Sequence, residues 1–175
     1  LLENNNLKTF PNLTAIGLTL ETLEIGKNTF PALSSDDFVK LVALKVLGLR
    51  FTGPLPPDLD FKKGFRNVKS LALMGLKVYN LTTQLQNLST LKTLSVSGGS
   101  FLLDPITDEQ FTGCSKIINL SLVNMGLTKF PRMPGLGATM KKLTLNQNLF
   151  DEPLTEDVLL HYKVLSQLGL HNCGL

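Results

Sequence analysis

Few residues in this chain have the types needed for covalent or acid–base chemistry. There are two histidines, His161 and His171, and two cysteines, Cys114 and Cys173. An activated nucleophile needs a base within hydrogen-bond reach and a third group to orient that base, and no spacing here implies such a set. No second Cys or His stands at zinc-ligand spacing. There is no G-x-x-x-x-G-K loop to cradle phosphate, and no carboxylate pair falls on one face at a useful spacing. The chain is therefore expected not to be an enzyme, and no cofactor or metal is expected. One kind of modification chemistry does show. N-x-[ST] occurs at Asn12, Asn80, Asn87 and Asn119, and it is the acceptor for N-linked sugar in a secreted chain. The middle residue is leucine each time, and a chain rich in Leu, Asn and Ser also makes such triplets by composition alone.

The elements that must position these residues come from a repeat. MKKLTLNQNLF (140–150) has apolar residues at places 1, 4, 6 and 11 and an asparagine at place 9. Copies begin at residues 20, 44, 68, 91, 117, 140 and 165, and a cut copy, LENNNL (2–7), opens the chain. The intervals are 24, 24, 23, 26, 23 and 25 residues, and a fixed period in the twenties marks a solenoid. The core of each copy alternates inward and outward as a short strand does. Neighbouring copies should pair as parallel strands, which requires a crossover of about a dozen residues between them. The rest of each period supplies that arc with its own apolar anchors: Leu33, Phe38 and Leu41; Leu81, Leu85 and Leu88; Ile106, Phe111 and Cys114; Phe130, Met133 and Leu136.

The asparagine at place 9 offers both donors and acceptors to backbone groups left inside the bend. Asn5, Asn28 and Asn148 keep it, Cys173 and Thr52 are smaller substitutes, and Leu76, Gly99 and Met125 lack it. Those last turns are expected to be irregular, with a register shift at Asn124. The two cysteines lie about two coils apart, roughly 10 Å at strand spacing, so two buried free thiols are expected rather than a disulfide.

At 175 residues and 43% hydrophobic content, one single array of about seven to eight repeats spans the chain. A net charge of +3 does not argue for nucleic acid, and no apolar run reaches the length of a membrane span. The chain starts within a strand and stops at place 11 without a visible polar cap, so it is expected to be a fragment.

These copies resemble the leucine-rich-repeat superfamily, in its typical class of about 24 residues, and are similar to the ectodomains of Toll-like receptors and variable lymphocyte receptors. Phe38 and Phe111 match the phenylalanine that class favours late in the repeat. FTGPLPPDL (51–59) resembles the plant receptor consensus but occurs once. The resemblance implies an α/β solenoid: a horseshoe with a parallel concave β-sheet and mostly irregular or short-helical convex arcs, which binds its partner on the concave strands.

Places 2, 3, 5, 7 and 8 should line that face. Two patches are candidate ligand-binding sites. Arg50, Phe51 and Met74 are typical interface anchors; Phe51 would alternatively fold back into its turn. Asn146, Gln147, His171 and Asn172 suit a peptide backbone or a sugar, and equally a solvated face. Lys45, Lys69, Lys92 and Lys141 share place 2, a row suited to a sulphated glycan, to anionic head groups, or simply to solvent. Ser35, Thr107 and Thr155 precede acidic residues and should cap short helical turns. Asn12, Asn80 and Asn87 fall on arcs, whereas Asn119 falls on a strand. The reading that follows is an extracellular recognition module, an innate-immune or cell-surface receptor, binding a protein or glycan ligand on the concave face. The alternative is a structural or adhesive matrix component that self-associates.

Overall fold

A computed structural model describes the chain except for residues 1, 3, 4, 6, 29, 31, 32, 51–58, 76–83, 86, 87 and 100–105. Its centre is one open sheet of seven parallel strands in sequence order. They are β1 (Thr22–Glu24), β2 (Val46–Arg50), β3 (Ser70–Met74), β4 (Thr93–Ser97), β5 (Asn119–Val123), β6 (Lys142–Thr144) and β7 (Gln167–Gly169). The pairing register joins Leu23, Leu47, Leu71, Leu94, Leu120, Leu143 and Leu168 across the sheet. These are the place-4 residues of the seven copies, so the sequence repeat and the strand register are the same object.

The alternation within each strand separates two faces. Leu94 and Val96 of β4 are fully buried, while Thr93, Ser95 and Ser97 between them stay partly exposed. The cut copy joins in register as well. The Leu2 N–H donates to the Glu24 carbonyl at 2.9 Å, as Ile25 donates to Gly48 and Leu145 to Gly169 one coil onward. Each bond links a place-6 amide to the place-5 carbonyl of the next coil.

The arcs return through single helical turns. These are α1 (Asp36–Val39), α2 (Phe61–Gly64), α3 (Pro134–Gly137) and α4 (Glu156–Leu159), with 3-10 turns at Thr14–Ile16 and Asp108–Phe111. Every expected arc anchor among the described residues is buried, while Leu81 lies outside them. The core also holds arc residues without a counterpart in those triplets: Leu59, Phe61, Phe65, Val158 and Tyr162. Phe10, Phe38 and Phe65 stack edge-on from coil to coil, with ring centroids 5.1 Å apart at each step. Such pairs stabilise by about 0.5–1.5 kcal/mol beyond area burial. A parallel sheet with short helical arcs is compatible with an α/β solenoid-like stacking.

The three expected caps divide. Thr107 forms a full capping box with Gln110. Ser35 makes no cap to its own helix; its hydroxyl bridges instead to the backbone of Asp60, one coil on, accepting from the N–H at 2.6 Å and donating to the carbonyl at 3.0 Å. Thr155 turns its hydroxyl to the Asp157 carboxylate rather than to a backbone amide. In both exceptions the hydroxyl is turned to another partner and no cap bond to the local N–H forms.

The turn at Met125 is regular, against expectation. Met125 is buried like Asn28 and Asn148, and Asn124 takes a left-handed φ like Lys27 and Gln147. No register shift occurs there. Leu76 and Thr52 lie outside the described residues.

Candidate functional site

The open face of the sheet carries the place-3, place-5 and place-7 side chains. Two residues of its middle row are closely approached glycines. A Cβ on Gly48 would stand 3.2 Å from the Glu24 side chain, and one on Gly169 would stand 3.0 Å from Asn146 Oδ1. Glycine at these two points lets the neighbouring strand's larger side chain lie across it.

The first patch is assembled by strand register. Arg50 and Met74 are direct partners across β2 and β3. Arg50 Nη2 lies 3.6 Å from Met74 Sδ, a weak contact to a weak acceptor. Met74 remains 36% exposed, so an apolar, polarisable tip stands beside a cation on the open face. Phe51 lies outside the described residues.

The second patch also comes together, but just past the strand ends. Asn146 Oδ1 accepts the His171 backbone N–H at 3.0 Å, and the Gln147 N–H donates to the His171 carbonyl at 2.8 Å. These bonds carry the pairing of β6 and β7 beyond the strands. Gln147 and Asn172 have φ of 61° and 55°. Place 8 is left-handed in every described copy: Lys27, Gly75, Gly98, Asn124, Gln147 and Asn172. Glycine and asparagine tolerate that conformation best. The Asn172 identity is thus accounted for by the turn, and the Asn146 amide oxygen is committed to backbone.

Of the glycosylation candidates, Asn12 is exposed, and its Oδ1 accepts the Thr14 N–H at 3.1 Å at the start of a 3-10 turn. A sugar attaches to the nitrogen and leaves that oxygen in place. Asn119 lies on β5, half-buried, with Nδ2 donating to Thr93 Oγ1 at 3.3 Å on the neighbouring strand. Asn80 and Asn87 lie outside the described residues.

Both cysteines are free and buried. Each thiol donates to a backbone carbonyl at 3.1 Å: Cys114 to Leu85 and Cys173 to Leu145. Burial pushes the Cys114 thiol up to about 12, which makes it a poor nucleophile at neutral pH. Among the described residues no three His, Cys, Asp or Glu side chains cluster as a metal cage would require. Likewise no described helix is long and apolar enough to cross a membrane.

The sequence reading missed groups that join arc to arc. Asp108 accepts the Gly135 and Leu136 N–H groups of α3 at 2.7 and 2.9 Å, and Gln84 accepts the Phe61 N–H at 3.1 Å. No periodicity points to them, because each serves a single junction. A scan against protein-family models finds no match, and a search of curated proteins finds none either.

Proposed function

We propose that the chain is a leucine-rich-repeat horseshoe of the typical class that recognises a protein ligand on its concave strands, in an extracellular or cell-surface setting. The observation that carries this reading is the open face of the sheet. Even in the central strand β4, Thr93, Ser95 and Ser97 retain exposure beside fully buried Leu94 and Val96. A partner laid across this face would meet the Arg50–Met74 pair as its anchor. Arginine and methionine are enriched at interfaces, and anchors of this kind carry most of an interface's energy.

The test is capture from a panel of purified secreted proteins. A ligand held by the wild-type chain should be released by Arg50→Ala/Met74→Ala, with thermal unfolding unchanged. Equal retention by both chains rejects the reading. The extracellular setting has its own check, since Asn12 should carry sugar in glycopeptide mass analysis of secreted material.

A further inference from the structure

Charge is sorted on this molecule along the strand-entry edge that borders the open face. At the end where the strands begin, place 2 holds Lys45, Lys69, Lys92 and Lys141. The backbone there is one continuous ladder. The Lys69 N–H donates to the Lys45 carbonyl, Lys92 to Lys69, Ile118 to Lys92 and Lys141 to Ile118, at 2.7–2.8 Å. Arg66, Lys116, Lys142 and Lys163 add cations within two residues of the same edge. Every strand from β2 to β7 therefore contributes at least one. The five steps between them make a strip on the order of 24 Å long.

The acids lie elsewhere. In the segments that run from two residues before place 1 to place 3, Glu21 is the single carboxylate. It pairs with Lys45. The remaining described ion pairs, Lys63–Asp36, Lys129–Glu152 and Arg132–Asp157, all lie on arcs. Arg66, Lys69, Lys92, Lys116, Lys141, Lys142 and Lys163 are exposed, with no ion pair among the described residues. Like charges spaced along one edge repel, and the chain does not relieve this with acids it places freely on the arcs.

We propose that this strip binds a linear sulphated polysaccharide, independently of the ligand site on the open face. Its chemistry selects that partner. A single row fits a chain polymer better than the flat, extended surface of a bilayer. The segments hold no Phe, Tyr or Trp, so they lack the stacking platforms that hold single-stranded nucleic acid. Seven of the eight cations are lysines, compact point charges rather than the planar forks that grip phosphate bidentately. Place 3 alongside carries Ser70, Thr93, Asn119 and Gln167, uncharged groups suited to sugar hydroxyls.

The experiment measures binding of a heparin oligosaccharide to the 175-residue chain over a range of salt concentrations. Lys69→Gln/Lys92→Gln/Lys141→Gln should weaken binding at least about tenfold and flatten the slope of log K against log salt by about two to three, by loss of counterion release. The charge-matched control Lys8→Gln/Lys62→Gln/Lys129→Gln should change affinity by less than about twofold, because screening confines each charge to its own neighbourhood. Thermal melts verify that both variants fold, and Lys92→Glu alone repeats the test should the triple variant melt early. Three results would each overturn the proposal: no binding, equal loss in both triple variants, or tighter binding to single-stranded DNA or phosphatidylserine vesicles than to heparin at the same salt. Arg50→Ala/Met74→Ala should leave heparin binding intact, which separates this site from the protein-binding face.

Discussion

Asn148 Oδ1 accepts the backbone N–H of Met125, one coil earlier, at 2.9 Å. The same oxygen accepts the Leu127 N–H at 3.2 Å, while Nδ2 donates to the Leu122 and Leu145 carbonyls. Asn28 does the same for the copy before it, accepting from Asn5 and Leu7 and donating to Leu2. The place-9 amide thus serves the preceding coil as much as its own. The Met125 turn stays regular without an amide of its own because its N–H groups are satisfied from Asn148.

Asn148→Ala should therefore destabilise the chain by about 2–4 kcal/mol, since buried groups on two coils lose partners at about 1–3 kcal/mol each. Urea unfolding measures this. The sharper check is hydrogen exchange, in which the Met125 and Leu127 amides should lose protection first. Unchanged protection there would refute the inter-coil role.

Cys173 occupies the same place with a weak donor and only a weak acceptor in place of the amide oxygen. Its thiol donates to Leu145, and the Phe150 N–H takes the Cys173 carbonyl instead. Cys173→Asn should fit the site and raise the unfolding midpoint in urea. A fall would show that the space around Cys173 excludes an amide.

Two glycines should respond differently to alanine. A Cβ on Gly137 would stand 2.2 Å from the His161 carbonyl oxygen and 2.8 Å from its carbon, so backbone must move. Gly137→Ala should cost about 1–3 kcal/mol, the range for overpacking. Gly126 has φ +68° and nothing within 4 Å of its would-be Cβ. Its substitution carries only the left-handed penalty of about 1–2 kcal/mol. Thermal melts should rank Gly137→Ala as the more damaging; an equal or reversed order would place the arcs farther apart than the 2.2 Å contact requires.

Stability should fall in alkali. The folded-state Cys114 thiol is raised from 9.0 to about 12 by burial, so the unfolded chain loses its proton first. Its contribution is complete below about pH 9 and is lost as pH rises toward 12. Burial also raises the Tyr162 phenol, whose O–H donates to the Pro131 carbonyl at 2.7 Å. Urea midpoints measured from neutral pH to pH 11 should decline less steeply in Cys114→Ala than in the wild type.

What the sequence determined by itself was the stacking. Places 4 and 6 face the core, and a strand's period of two leaves only one register in which the copies from β1 to β6 bury them together. The strand pairing therefore follows the leucines residue by residue, and the arc anchors follow because a parallel crossover must return under the sheet. Tertiary structure decided what each polar group does. Asn148, Ser35 and Asp108 look local in the sequence, yet each bonds to a neighbouring coil, because stacking brings residues some 23–28 positions apart within hydrogen-bond reach. The place-8 residues read as surface and are turn conformers, since a left-handed φ leaves a weak imprint on residue type when Lys27 and Gln147 also adopt it. The basic strip became evident once the strand-entry turns were stacked on the place-2 lysines, because charges scattered along a chain become neighbours only when its coils lie side by side.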